Sequence, residues 1–168
     1  MIAFFPAALL LVLWLMSAYQ GFVSVQDALY PQRNVFCCNT PADAGYLYED
    51  VTLSTSDGIA LSGWYLPTQN NSAIVMAHGL HANRAQVWNL ARGLHDHGYG
   101  VILFDLRAHG ESEGTVFTQG WLDIRAAVDY LTSQGVERIG AYGFSLGANM
   151  VLRPLCWRIS PCPIPWLA

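Results

Sequence analysis

The chain has 168 residues, a length that fits one domain, and 53% of them are hydrophobic. Its formal net charge is −4 and its pI is about 5.6. This acidic balance offers no basic surface of the kind that binds nucleic acid, so nucleic acid is not an expected partner.

The amino-terminal segment, residues 1–26, contains no Asp, Glu, Lys, Arg or His. As a helix, Ile2 to Val25 would extend about 36 Å, which is enough to cross a hydrocarbon core of about 30 Å. A cleaved signal peptide is the alternative, but its basic start is missing and Met16 occupies a cleavage-site position that should be small. A buried core helix is a further alternative. We predict a single-pass membrane anchor, whose orientation cannot be read from Arg33, the first basic residue.

The residues after the anchor divide into a linker, 27–45, and a domain, 46–153. Two segments, Tyr48 to Leu53 and Ile59 to Tyr65, flank the turn residues Ser56-Asp57-Gly58 and predict a β-hairpin. Strand and helix patterns then alternate three times along the chain. That alternation predicts an α/β fold with a doubly wound, mostly parallel sheet of which the later strands are missing.

Two short apolar runs predict buried parallel strands that end in polar loops. The first is Ala73 to Ala77, and His78-Gly79-Leu80 follows it. The second is Val101 to Phe104, which leads into Asp105-Leu106-Arg107-Ala108-His109-Gly110-Glu111-Ser112. We interpret Asp105 and His109 as residues that brace their loop, and His78 as a buried histidine that supports the other loop.

A third run, Arg138 to Tyr142, leads into Gly143-Phe144-Ser145-Leu146-Gly147, which has the pattern G-x-S-x-G. A helix pattern follows from Leu146 to Leu152, so strand, turn and helix are in the order that this motif requires. A serine nucleophile must be exposed on a sharp turn and offered to a base. Gly143 and Gly147 supply the small positions that lie against neighbouring backbone in such a turn. For the motif alone, a chance glycine-serine loop is the alternative.

The segments His78 to Leu80, Phe104 to Ser112 and Gly143 to Ala148 together resemble the α/β-hydrolase superfamily, and the resemblance covers about residues 40 to 153. Within it the chain looks most similar to serine aminopeptidase-like and acyl-esterase-like members with an amino-terminal anchor. The resemblance implies that Ser145 is the nucleophile and that the backbone N–H groups of Leu80 and Leu146 form the oxyanion hole. It further implies cleavage of a small-molecule ester, with amides second, through an acyl-enzyme and without a cofactor or metal.

The acid and the histidine of the triad follow the nucleophile in this superfamily, yet no Asp, Glu or His follows Ser145 here. We expect Pro154 to end or kink the helix after the motif, and we interpret residues 154–168 as an atypical tail. Truncation or a frameshift near residue 153 would explain the tail, and a natural short tail is the alternative. The alternatives to a serine esterase are accordingly an inactive hydrolase fragment and a membrane-tethered binding module.

Overall fold

The computed structural model describes residues 4–34, 40–115 and 119–158, with side chains described over 8–34, 40–115 and 119–153. The helices in this part of the chain are α1 (Phe4–Leu29), α2 (Trp88–His95), α3 (Trp121–Ser133) and α4 (Leu146–Arg158). The strands are β1 (Glu49–Ser54), β2 (Ala60–Leu66), β3 (Ser72–Ala77), β4 (Gly100–Phe104) and β5 (Arg138–Gly143). Two 3₁₀ helices occupy Pro41–Ala44 and Arg84–Val87.

The five strands form one sheet in the order β1-β2-β4-β3-β5. Strands β4, β3 and β5 are parallel, whereas β1 pairs antiparallel with β2 and β2 pairs antiparallel with β4. The predicted α/β fold is confirmed, and the predicted hairpin lies within one residue of β1 and β2. Because that hairpin joins the same sheet, the sheet is mixed rather than mostly parallel.

Helices cover both faces of the sheet, as expected for a doubly wound fold. Alternate residues of β4 point to opposite faces, so Val101 and Leu103 pack in one core cluster and Ile102 and Phe104 in the other. The first cluster includes side chains of α2, and the second includes side chains of α3 and α4. The two faces of a single sheet are therefore sealed by different helices.

The crevice that positions the candidate site follows from this winding. After β3 the chain passes to α2 on one face, and after β5 it passes to α4 on the other face. Since β3 and β5 are neighbours, their carboxyl ends form the switch point at which open α/β sheets have their ligand-binding crevice. The loops after β3 and β5 border this crevice.

Two helices extend beyond their predicted ends. Helix α1 continues to Leu29, three residues into the predicted linker. We expected Pro154 to end or kink this helix; α4 continues through Pro154 to Arg158, so the first alternative is wrong and the second stays a prediction. A proline inside a helix costs about 3 kcal/mol, which weakens a helix without forbidding it. The interpretation of residues 159–168 as an atypical tail lies outside the described residues.

Within the described residues, one segment, Ala8–Leu29 of α1, is long and apolar enough to cross a membrane. None of its most apolar window is buried against the rest of the molecule, which is unlike the core helix of a soluble domain. A signal sequence satisfies the same criteria of length and composition.

Candidate active site

The predicted nucleophile lies in the turn between β5 and α4. Ser145 has a φ of +51°, a left-handed conformation that a residue with a side chain adopts only where its surroundings enforce it. Two backbone hydrogen bonds hold the turn: Phe144 N–H donates to the Ala77 carbonyl oxygen over 3.0 Å, and Gly147 N–H donates to the Phe144 carbonyl oxygen over 2.9 Å. Ser145 is exposed at the carboxyl end of its strand, and α4 begins at the next residue.

The two glycines of the motif lie where backbone segments approach closely. A Cβ atom on Gly147 would be 2.5 Å from the Ala77 carbonyl oxygen and 2.7 Å from that of His78. A Cβ atom on Gly143 would overlap the backbone of Gly147 and Ala148. Any larger residue would therefore displace the first turn of α4 from the end of β3, and the crevice would change shape.

The loop after β3 is supported by a buried histidine, as the sequence indicated. His78 Nδ1 lies 2.7 Å from the Gly79 carbonyl oxygen, and its Nε2 lies 3.0 Å from the backbone nitrogen of Leu106. These partners assign the proton to Nδ1, because Nε2 must accept the Leu106 N–H. Burial lowers the pKa of His78 to about 4, so the ring is neutral and joins the loops after β3 and β4.

The two predicted oxyanion donors lie in adjoining segments, the loop after β3 and the start of α4. Gly79 N–H donates to Gln86 Oε1 over 2.8 Å, and a Cβ atom on Gly79 would be 3.1 Å from the Phe144 ring, so this loop contacts the turn that carries Ser145. Leu80 follows directly. Leu146 is the first residue of α4, so its N–H has no partner within the helix and contributes to the positive end of the helix dipole.

The loop after β4 is stabilised by a buried ion pair. Asp105 accepts hydrogen bonds from the backbone N–H groups of Arg84 and Glu111 over 2.7 and 2.9 Å, and the Arg84 guanidinium lies 3.1 Å from its carboxylate. Arg84 also pairs with Glu111 and stacks over Trp64 at 4.6 Å. Burial raises the pKa of Asp105, while Arg84 opposes that rise. These contacts fit the bracing role that we predicted for Asp105.

A second charged cluster anchors the same loop to α3 and to the hairpin turn. Arg107 donates from Nε to Asp123 over 2.8 Å, and its terminal nitrogens donate to Asp57. The Arg107 hydrogen bond lowers the pKa of Asp57 to about 2. His109, also predicted to brace the loop, is buried, and its Nδ1 lies 2.9 Å from the Arg107 carbonyl oxygen. Its Nε2 is buried without a hydrogen-bond partner among the described residues.

The structure places every residue that the sequence nominated for the site at the adjoining carboxyl ends of β3 and β5: Ser145, Leu80, Leu146, Gly143, Gly147, His78 and Gly79. Sequence reasoning missed the partners that fix the loop after β4, namely Arg84 and the Asp57–Arg107–Asp123 cluster. One signal was available, because Asp123 occupies the apolar stripe of α3 together with Ala126 and Ala127. A charged residue on such a stripe needs a buried partner.

A comparison with models of protein families identifies the family of the chain. A model of the alpha/beta hydrolase fold family matches residues 72–155, which are half of the chain and extend from β3 into α4. The chain belongs to the α/β-hydrolase fold family.

Among curated proteins, the uncharacterized protein YfhR of Salmonella typhi is 36% identical over 140 residues, which cover 77% of this chain and 46% of that protein. Thiohydrolase aneE of Aspergillus aculeatus is 36% identical over 134 residues, covering 70% of this chain and 42% of that protein. The chain thus spans about half the length of the curated relatives that it matches.

Solved structures agree with the family. Esterase Pf2001 of Pyrococcus furiosus superposes with a TM-score of 0.70 at 34% identity, over 76% of this chain and 50% of that chain. These comparisons support an esterase-like hydrolase fold. The finer resemblance to serine aminopeptidase-like members stays a prediction.

Proposed function

We propose that the chain carries the nucleophile side of a serine-hydrolase active site that acts on small-molecule esters. The observation that carries the proposal is the strained, exposed Ser145 on the turn from β5 to α4, beside the crevice between β3 and β5. Enzymes need an exposed hydroxyl on a rigid support for nucleophilic attack, and strained backbone is concentrated at such sites.

In the proposed reaction, Ser145 Oγ attacks the carbonyl carbon of the ester and loses its proton to a base. The carbonyl oxygen becomes an oxyanion, which the N–H groups of Leu80 and Leu146 stabilise; removal of one such donor typically costs about 10²–10³ in rate. Collapse of the tetrahedral intermediate releases the alcohol and leaves an acyl-serine, which water hydrolyses to the acid. Esters are favoured over amides because an alcohol leaves with less help from a general acid than an amine does.

The base is the part of the mechanism that these 168 residues do not supply at the usual place, since no Asp, Glu or His follows Ser145. A different observation favours a second candidate function, in which the crevice binds a ligand without turnover: among the described residues, no histidine or carboxylate is hydrogen-bonded to Ser145 Oγ. For both functions we propose that α1 is a single-pass membrane anchor, because its window of membrane-spanning length is unburied and free of charged residues up to Asp27.

An activity-based probe separates the two functions. We expect a fluorophosphonate to label the chain slowly, and we expect added imidazole to accelerate labelling because it can accept the Ser145 proton. Ser145→Ala should abolish the labelling, whereas the matched control Ser133→Ala, which removes an exposed hydroxyl on α3, should leave it unchanged.

Equal labelling of the Ser145→Ala variant would show that another residue reacts and would contradict the proposal. Absence of labelling with imidazole present, together with tight binding of an ester that is not turned over, would establish the binding function instead.

A further inference from the structure

The carboxyl-terminal end of α1 is attached to the loops at the carboxyl edge of the sheet. The Asp27 carboxylate in the last turn of α1 lies 3.0 Å from His81 Nε2. Asn34 Nδ2 donates to the carbonyl oxygen of the same residue, His81, and Asn83 Nδ2 donates to the Asn34 carbonyl oxygen over 3.1 Å. The segment from Asp27 to Asn34 is therefore held at both of its ends by the loop after β3.

Arg33 attaches the same segment to the loop after β4. Its guanidinium donates to three backbone carbonyl oxygens, those of Gly110, Ser112 and Gly114. A planar guanidinium with several donors suits such a set of acceptors, and an ammonium on a flexible stem would not satisfy them in the same geometry. We call Asp27, Arg33 and Asn34 the latch.

Both loops that the latch contacts belong to the edge of the sheet where the proposed site lies. His81 directly follows Leu80, whose N–H is a proposed oxyanion donor, and its φ of +58° marks a tightly constrained loop. The loop after β4 and the turn at Ser145 are separated by two strand spacings, about 10 Å, because β3 lies between β4 and β5. The latch thus holds the end of α1 beside the crevice.

The length of α1 and its short connection to Arg33 then place the crevice close to a membrane that contains α1. The helix has 26 residues, about 39 Å of length, and Asp27 is the first charged residue of the chain. Only three residues separate Leu29, the last residue of α1, from Arg33. If α1 enters a bilayer, the latch fixes the carboxyl edge of the sheet, which carries the crevice, within a few residues of the membrane surface.

We propose that the latch holds the Ser145 site against the membrane into which α1 inserts, and that its substrates are amphipathic esters whose acyl chains remain in the bilayer. This inference rests on the proposed function, and it adds the substrate class and the route of entry. An ester in the bilayer presents its carbonyl group at the interface, where the latched crevice meets it. For a water-soluble ester, the latch does not increase the rate of reaction with Ser145.

The test compares two fluorophosphonate probes on the full chain in phosphatidylcholine vesicles with imidazole present. One probe is short and water-soluble, and the other carries a hexadecyl chain that partitions into the bilayer. We expect Arg33→Ala to lower the ratio of long-chain to short-chain labelling rates at least fivefold, with the short-chain rate within twofold of wild type. Asp27→Asn, which weakens the attachment to the other loop, should lower the ratio in the same direction.

The matched control is Arg125→Ala, which removes an exposed arginine whose partner Asp129 lies on α3, and it should leave the ratio unchanged. If both probes label Ser145 and neither latch variant changes the ratio, the inference is overturned while the proposed function stands. If neither probe labels Ser145 above the Ser145→Ala background, the proposed function fails, and the assignment of a substrate class falls with it.

Discussion

Strands β4 and β5 both deliver a loop to the proposed site, yet the two loops are built differently. Every residue of β4 is buried, and the loop after it is tied down by Asp105, Arg84 and a second charged cluster. Most of β5 is exposed, and its turn is held by backbone hydrogen bonds and by close packing of two glycines. Along its other side, β5 has no strand partner among the described residues.

The difference shows two ways of fixing a loop. Buried charges give the loop after β4 a rigid position through many strong directional contacts, and they make that loop costly to alter. The turn after β5 is fixed by shape, since its backbone segments pass too close for a side chain at Gly143 or Gly147. The first loop supports neighbouring segments, whereas the second presents a reactive hydroxyl and must leave it uncovered.

The largest expected effect comes from breaking the charged loop. Among the described residues, Asp105→Ala leaves the buried Arg84 guanidinium with only the half-exposed Glu111 as a carboxylate partner, and loss of one partner of a buried pair costs about 3–5 kcal/mol. Urea unfolding in detergent micelles, followed by tryptophan fluorescence, measures this loss. Asp129→Ala, which removes an exposed carboxylate paired with Arg125, should cost less than about 0.5 kcal/mol. Equal losses in the two variants would contradict the comparison.

A smaller but more specific effect is expected at the turn. Gly147→Ala forces a Cβ atom against the carbonyl oxygens at the end of β3, which should cost about 2–3 kcal/mol and reduce fluorophosphonate labelling of Ser145. The matched control is Gly93→Ala in α2, where a Cβ atom meets nothing within 4 Å. That variant should gain about 0.5–1 kcal/mol and keep its labelling rate. Normal labelling of Gly147→Ala would show that the turn is not fixed by shape.

Much of the fold could be predicted from the sequence because its signals are local. The turn residues Asp57-Gly58 between two alternating segments predicted the hairpin within one residue, and uninterrupted apolar runs predicted β3 and β4. The G-x-S-x-G pattern likewise nominated a turn whose serine has a positive φ. Each of these features depends on residues that are close together in the chain.

The features that escaped prediction depend on distant residues. Arg33 bonds to carbonyl oxygens 77 and more positions away, and Arg107 pairs with Asp57, 50 positions earlier. The periodicity of apolar residues in the sequence does not indicate such pairings. The length of α4 was mispredicted for another reason. The prediction considered only the local cost of Pro154, whereas packing of Val151 and Met150 against the core stabilises the helix.

The smallest expected effect concerns the residue that joins the two loops. His78 has a pKa of about 4 in the folded chain, and an unfolded histidine has one of about 6.5, so the unfolded chain takes up the proton first as the pH falls. The free energy of unfolding is therefore fully maintained above about pH 6.5 and decreases towards pH 4. We expect a loss of about 2 kcal/mol between pH 7.5 and 5 from this residue. Buried His109, whose pKa is also lowered, acts in the same direction.

The His78→Gln variant separates this effect from general destabilisation. Glutamine does not titrate, so the variant should lose less free energy of unfolding between pH 7.5 and 5 than wild type does, whatever its stability at pH 7.5. His97→Gln removes an exposed imidazole and should keep the wild-type pH dependence. An unchanged pH dependence in His78→Gln would mean that His78 takes up its proton as easily in the folded chain as in the unfolded one, so that its bond from Leu106 N–H does not contribute to the free energy of unfolding. The loops after β3 and β4 would then be held together by the Arg84–Asp105 ion pair and by the latch rather than by His78.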